Sequence, residues 1–292
     1  MCWRRWRSKG VATVAECRQR HRELASPSAA LDVDLLLCHV LQQPRYYLYA
    51  HDDARLTEEQ QQQLDVLLAR RQSGEPVAYL IGEAEFWSLK LAVSPATLIP
   101  RPDTELLVEW LLETLPADAA LKVLDLGTGT GAIALALACE RPTWQLTGVD
   151  SQRAAVELAA SNAQRLALDV EFLHSDWFAA VSGRRFDVVV SNPPYIAEDD
   201  EHLTGPGVKY EPSSALVAGA DGLDDIRRIV AAAPAFMSPG GVLLLEHGYR
   251  QAEAVAAILG GGGFVDVKTR RDYGANPRAT RGRLIGEVDH AR

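Results

Sequence analysis

Apolar positions fall into two rhythms along this chain. Between residues 28 and 73 they recur every three to four positions. Leu31, Val33, Leu35, Leu36, Leu37, Val40 and Leu41 form one band, and Leu64, Leu67 and Leu68 form another. Thr57 with Gln60 three residues on is the signature of a capping box and predicts a helix start. No strand-like run interrupts the stretch, so residues 28–73 are expected to form a small helical domain. From Gly74 the rhythm shortens. Residues 77–82 and 86–93 read as short strands of a hairpin-like linker over 74–100. Leu106, Leu107, Trp110 and Leu111 then predict a helix with Asp103 or Thr104 as its N-cap.

Beyond residue 101 short apolar runs alternate with helical patterns. Residues 122–126, 145–150, 170–173, 186–190, 242–246, 264–267 and 283–286 read as strands. Helices pass through Leu135, Leu158, Leu166, Ile226 and Ile229, and Gly260 to Gly263 predict a flexible turn. Alternation of this kind requires a mostly parallel sheet covered on both faces and joined by right-handed crossovers. The expected fold class is α/β, with residues 101–292 as one domain.

Composition adds limits. The chain has 292 residues, 47% apolar and 24% charged, which suits a soluble globular protein with a large domain and a smaller one. Four scattered cysteines without C-x-x-C spacing point to reduced thiols in a cytoplasmic protein, and away from a disulfide scaffold or a zinc site. No apolar stretch reaches membrane-spanning length. The net charge is −9, yet residues 1–22 carry seven Lys/Arg against one acid. The acidic remainder is a poor partner for nucleic-acid backbone. The basic head around Trp3, Arg4, Arg5, Trp6 and Arg7 lacks the apolar core of a secretory signal. Residues 1–27 are read as a basic, disordered extension.

Three strand ends carry candidate chemistry. After the strand at 122–126 comes Gly127-Thr128-Gly129-Thr130-Gly131, where glycine permits positive φ and close ligand approach at a helix N-terminus. The next strand ends in Asp150, an acid suited to a ribose and equally suited to capping the following helix. After residues 186–190 come Asn192-Pro193-Pro194-Tyr195, a stiff turn at the carboxyl edge of the sheet. The Asn192 side-chain oxygen and the Pro193 carbonyl can each accept one N–H from a planar amino nitrogen, and Tyr195 can stack on the planar group. That arrangement serves methyl transfer to an amide or adenine nitrogen, for which a hydride-transfer enzyme has no use. Trp177 can lie against an adenine or belong to the core, and His247 beside Glu246 reads as structural.

These motifs resemble the class I S-adenosylmethionine-dependent methyltransferases. Glu85-Phe86-Trp87-Ser88-Leu89, Leu98-Ile99-Pro100-Arg101-Pro102-Asp103-Thr104-Glu105, Ser175-Asp176-Trp177-Phe178 and Leu244-Leu245-Glu246-His247-Gly248 narrow the resemblance. Over roughly residues 29–285 the chain is similar to the peptide chain release factor glutamine methyltransferases of the PrmC/HemK type. The resemblance implies a Rossmann-like domain with a seven-stranded sheet behind a helical substrate-recognition domain. It implies methylation of the glutamine N5 in the Gly-Gly-Gln motif of release factors, which modulates translation termination. S-adenosyl-L-methionine would be the cofactor, S-adenosyl-L-homocysteine the product, and no metal would be needed. Gly127, Thr128, Gly129, Thr130 and Gly131 would hold its methionine end, Asp150 its ribose and Trp177 its adenine end. Asn192, Pro193, Pro194 and Tyr195 would hold the glutamine, with Asn192 also bordering the cofactor. The enzyme would act as a cytoplasmic monomer, with no membrane or direct nucleic-acid contact. A ribosomal-protein glutamine methyltransferase and an adenine-N6 nucleic-acid methyltransferase remain as alternatives.

Overall fold

Thr57 opens a helix as its spacing to Gln60 requires: each residue's side chain accepts the other's backbone N–H, at 3.1 and 2.9 Å. Among the described residues this is one of five α-helices in Met1–Gly82, one of two units of the computed structural model, which describes residues 10–205 and 207–285. The helices are α1 (Val14–Arg18), α2 (Ala29–Leu41), α3 (Tyr47–Ala50), α4 (Glu58–Gln72) and α5 (Val77–Ile81). Val33, Leu36, Leu37 and Val40 of α2 bury against Leu64, Leu67 and Leu68 of α4.

Two expectations are corrected in this unit. The described part of residues 1–27 belongs to it. Val14 and Cys17 lie in its core, and Arg18 reaches the buried Asp34 at 2.8 Å. Arg20 pairs with Asp65. Part of the basic excess thus neutralises acids of the helical unit; residues 1–9, with the Trp3–Arg7 cluster, lie outside the described residues. Residues 77–82, expected as a strand, instead hold α5 (Val77–Ile81) and its C-cap Gly82. Pro76 at the N-cap and Gly82 in the left-handed region (φ 75°) punctuate a single helical turn.

The second unit, Glu83–Arg292, begins with a hairpin of β1 (Glu83–Phe86) and β2 (Leu89–Ala92). Residues 86–93, expected as one strand, are split by Trp87 and Ser88 at φ 52° and 60°. Two successive positive φ values are what a two-residue hairpin turn demands. The remaining elements are α6 (Glu105–Thr114), β3 (Lys122–Leu126), α7 (Ala132–Glu140), β4 (Gln145–Asp150), α8 (Arg153–Leu166), β5 (Glu171–His174), β6 (Phe186–Ser191), α9 (Asp224–Ala232), β7 (Met237–Glu246), α10 (Ala252–Gly261), β8 (Phe264–Arg271) and β9 (Pro277–Leu284). The strand order is β5-β4-β3-β6-β7-β9-β8, parallel from β5 to β7, with β9 antiparallel to both of its neighbours.

Alternate residues of the central strands enter two cores. Val123, Val188, Val190 and Leu244 pack with α6 and α7; Leu124, Leu126, Val189, Leu243 and Leu245 pack with α9 and α10. A parallel sheet buried on both faces needs this continuous apolar sequence. The chain runs outward from β3 through β4 to β5, then returns to the other side of β3 as β6. That reversal opens a crevice at the carboxyl ends of β3 and β6.

Candidate functional site

Register brings the three motifs together. Leu126 pairs with Val149 on one side and Ser191 on the other, so the turn after β3 starts level with Asp150 and Asn192. Gly127, Gly129 and Gly131 have φ of 69°, 55° and 83°. The Gly129 N–H donates to Asp150 Oδ2 at 3.0 Å, and the Gln152 N–H to Oδ1 at 2.8 Å. Asp150 therefore fastens the glycine turn to the residue that precedes α8, and its carboxylate keeps acceptor capacity for a further donor. Burial pushes its carboxyl above the usual range against these hydrogen bonds. Below the turn, Thr128 Oγ1 donates to Asp125 Oδ2 at 2.6 Å; burial pushes Asp125 up to about 7. Gly148 leaves room for the turn: a Cβ there would lie 2.8 Å from Thr128 Oγ1 and 2.6 Å from the Phe172 ring.

The cleft so formed is lined by Gly127, Thr128, Gly129, Thr130, Asp150, Trp177, Asn192 and Pro194, with Leu98, Pro100, Arg101 and Thr104 on a further side. Trp177 is half-buried at φ 46° and faces both ways. Its ring packs on the core below, and a Cβ on Gly127 would sit 3.7 Å from it. Asp176, beside it, is held by Arg228 with both oxygens at 3.1 Å. The four residues after β6 divide. Asn192 and Pro194 line the cleft, Pro193 is buried, and the Tyr195 hydroxyl donates to Glu246 Oε1 at 3.3 Å. The Tyr195 carbonyl accepts from Gln251 Nε2 at 3.0 Å, and that side chain also accepts the Gly248 N–H at 2.8 Å.

Asn192 Nδ2 donates to Thr104 Oγ1 at 3.1 Å. Thr104 stands at the N-cap of α6 as expected, but its side chain makes no capping bond and serves Asn192 instead. Arg101 is tied to Glu211 at 2.6 Å, which braces the 98–105 segment against the loop after β6.

The methyltransferase small domain family matches residues 104–205, and the PrmC N-terminal domain family matches residues 13–82. A release factor glutamine methyltransferase of Salmonella typhimurium is 54% identical over 260 residues, 89% of this chain and 94% of that protein. That of Pseudomonas aeruginosa is 56% identical over 258 residues, 88% of this chain and 93% of its own. The chain belongs to the release factor glutamine methyltransferase family. A methyltransferase structure from Pyrococcus furiosus, 19% identical with a TM-score of 0.52 over 75% of this chain and 98% of its own, shares the fold.

Sequence reading of this methyltransferase misses the support behind the cleft. Thr104, Asp125 and Glu246 act across the fold, and nothing in their local spacing marks them. His247 fits its structural reading: buried, with burial lowering its pKa, it bonds Gly248 O at 2.9 Å and Thr280 Oγ1 at 2.8 Å. Among the described residues no group of His, Cys, Asp or Glu is gathered as metal ligands would be, and no helix is long and apolar enough to cross a membrane.

Proposed function

We propose that this chain transfers the methyl group of S-adenosylmethionine to the side-chain amide nitrogen of the glutamine in the Gly-Gly-Gln motif of peptide chain release factors, leaving S-adenosylhomocysteine. The observation that carries this reading is the position of Asn192. It shares one cleft with the glycine turn and Asp150, and its amide nitrogen is held back on Thr104, leaving Oδ1 for an incoming N–H.

The residues fit the donor. Three glycines with positive φ let the backbone of Gly127, Thr128, Gly129, Thr130 and Gly131 approach the methionine end closely. Asp150 keeps lone pairs for the ribose hydroxyls, and the half-buried Trp177 flanks the adenine end. When bound, S-adenosylmethionine supplies an electrophilic sulfonium methyl, which needs no Lewis acid.

The acceptor is the harder half. A glutamine amide nitrogen has its lone pair delocalised into the carbonyl and is a poor nucleophile. Asn192 Oδ1 and the Pro193 carbonyl each accept one of its N–H bonds, which aims the nitrogen and favours pyramidal geometry as the new bond forms. Pro194 shapes the wall. Tyr195 is anchored by Glu246 and Gln251 behind the cleft, and stacking of its ring on the planar amide is the role proposed for it. The N–CH3 bond would form as the sulfonium S–CH3 bond breaks, and the nitrogen would release one of its two protons to solvent; no side chain in this arrangement is a strong base, so rate comes from positioning in the cleft. The helical unit engages the protein substrate, and the enzyme works as a cytoplasmic monomer without membrane or direct nucleic-acid contact.

The test offers labelled S-adenosylmethionine and the purified protein with release factor, ribosomal protein and DNA in separate reactions, and maps the label by mass spectrometry. Label on the release factor glutamine is expected. Label on DNA or on the ribosomal protein alone would contradict the reading.

A further inference from the structure

Pro193 and Pro194 carry no backbone N–H, so the turn after β6 cannot be fastened through amide donors of its own middle. It is held at its two ends instead. At one end Asn192 Nδ2 donates to Thr104 Oγ1 at 3.1 Å. At the other the Tyr195 carbonyl accepts from Gln251 Nε2 at 3.0 Å. With φ locked in both proline rings, the chain between these anchors keeps little freedom beyond ψ. Holding the ends therefore holds the direction of the Pro193 carbonyl between them.

Gln251 is built into this place. It stands at the N-cap of α10, and its side-chain amide uses its acceptor and both donors. Oε1 accepts the Gly248 N–H at 2.8 Å. Besides Tyr195 O, Nε2 donates to the carbonyls of Asp221 and Gly222 at 3.2 and 3.3 Å. One side chain thus joins the end of the proline turn, the turn after β7 and the loop before α9. That loop is fitted to the same carbonyl: Gly222 sits at φ 71°, and a Cβ there would collide with Tyr195 O and lie 2.9 Å from Gln251 Nε2. The chain leaving the turn is braced on the same side. The Ile196 N–H donates to Leu216 O at 2.8 Å and the Ala218 N–H to Ile196 O at 3.0 Å, next to Ser214 and Ala215 of the cleft wall.

We propose that Gln251 is a positioning residue for methyl transfer: by clamping the Tyr195 carbonyl to the 221–222 loop, it aims the Pro193 carbonyl at the substrate nitrogen. The inference rests on the Pro193 carbonyl accepting an N–H of that nitrogen, as proposed above. Released at Tyr195, the turn keeps Asn192 on Thr104 but lets the Pro193 carbonyl swing, and one of the two acceptors leaves its line. A glutamate of the same shape cannot replace the clamp. Ionised, it has no donor and sets its oxygens against three carbonyl oxygens.

The experiment uses the full chain and compares Gln251→Glu and Gln251→Met with wild type. It measures the single-turnover rate at saturating release factor, KM for release factor, cofactor Kd and thermal unfolding. Rates are taken well below each variant's unfolding temperature, with folded enzyme counted by cofactor titration. Both variants are expected to lower the rate about ten- to a hundredfold, the scale of a reacting group misplaced by about 1 Å, with KM and cofactor Kd within about threefold. A Gln251 that merely supports the fold would lower the unfolding temperature and leave the rate per folded molecule at the wild-type level. That result would overturn the proposal, as would a loss of rate matched by an equal loss of cofactor affinity. If Gln251→Glu does not fold, Gln251→Met decides. A wild-type protein that leaves the release factor glutamine unmethylated would instead refute the functional reading itself, before any variant is compared.

Discussion

Gly129 donates its backbone N–H to Asp150 Oδ2 at 3.0 Å, which ties the turn after β3 to the acid at the end of β4. The residue proposed to hold the ribose thus also shapes the loop proposed to hold the methionine end. Replacing Asp150 by Ala removes the acceptor for Gly129 and Gln152 together with the acceptor for ribose. Cofactor affinity is expected to fall by a factor of tens, from the loss of about 2 kcal/mol of charge-assisted hydrogen bonding, as read by calorimetric titration. Unchanged affinity would remove Asp150 from the site.

Asp125 makes stability depend on pH. Burial raises its carboxyl from 3.8 in the unfolded chain to about 7 in the folded one. Between those values the folded state holds the proton that the unfolded state has lost, so this group makes the protein less stable as pH rises through the window. Asp125→Asn, which has no proton to lose, is expected to flatten the fall in unfolding temperature between about pH 4 and 7 that this linkage produces. An unchanged slope would show that Asp125 does not titrate there.

Arg18 lies in the stretch that composition alone reads as a disordered extension, yet it pairs with Asp34, whose side chain is only 4% exposed. Arg18→Ala leaves that carboxylate with the more distant Arg45, at 3.3 Å, and the Tyr49 hydroxyl, at 3.4 Å. A loss of roughly 2–4 kcal/mol from the helical unit is expected in denaturant unfolding, the scale for a buried charge deprived of a partner. No loss would mean that residues 10–27 add little to that unit.

Most of the sheet is legible in the sequence because strands buried on both faces are continuous apolar runs, as in Val188-Val189-Val190 and Leu243-Leu244-Leu245. The glycine turn is legible for a related reason, since its three positive φ values demand glycine. Val77-Ala78-Tyr79-Leu80-Ile81 is not legible: five apolar residues are too few to separate strand from helix, and the decision falls to Pro76 and Gly82. The Trp87-Ser88 turn carries none of the Gly, Asn or Asp residues that mark such turns. In the site, Asn192 and Asp150 can be picked out from strand ends alone. Thr104 cannot, because a hydroxyl at a helix N-terminus looks like a cap, and only the fold brings it to a residue 88 positions away.

The central claim is that Asn192 holds the acceptor nitrogen, and one variant tests it most directly. Asn192→Ala is measured for cofactor Kd and for the single-turnover rate of methyl transfer to release factor. The account predicts a rate lowered by about a hundredfold or more with a Kd within about threefold, because positioning of the reacting nitrogen is lost while Asp150 and the glycine turn remain. Transfer at the wild-type rate would contradict it.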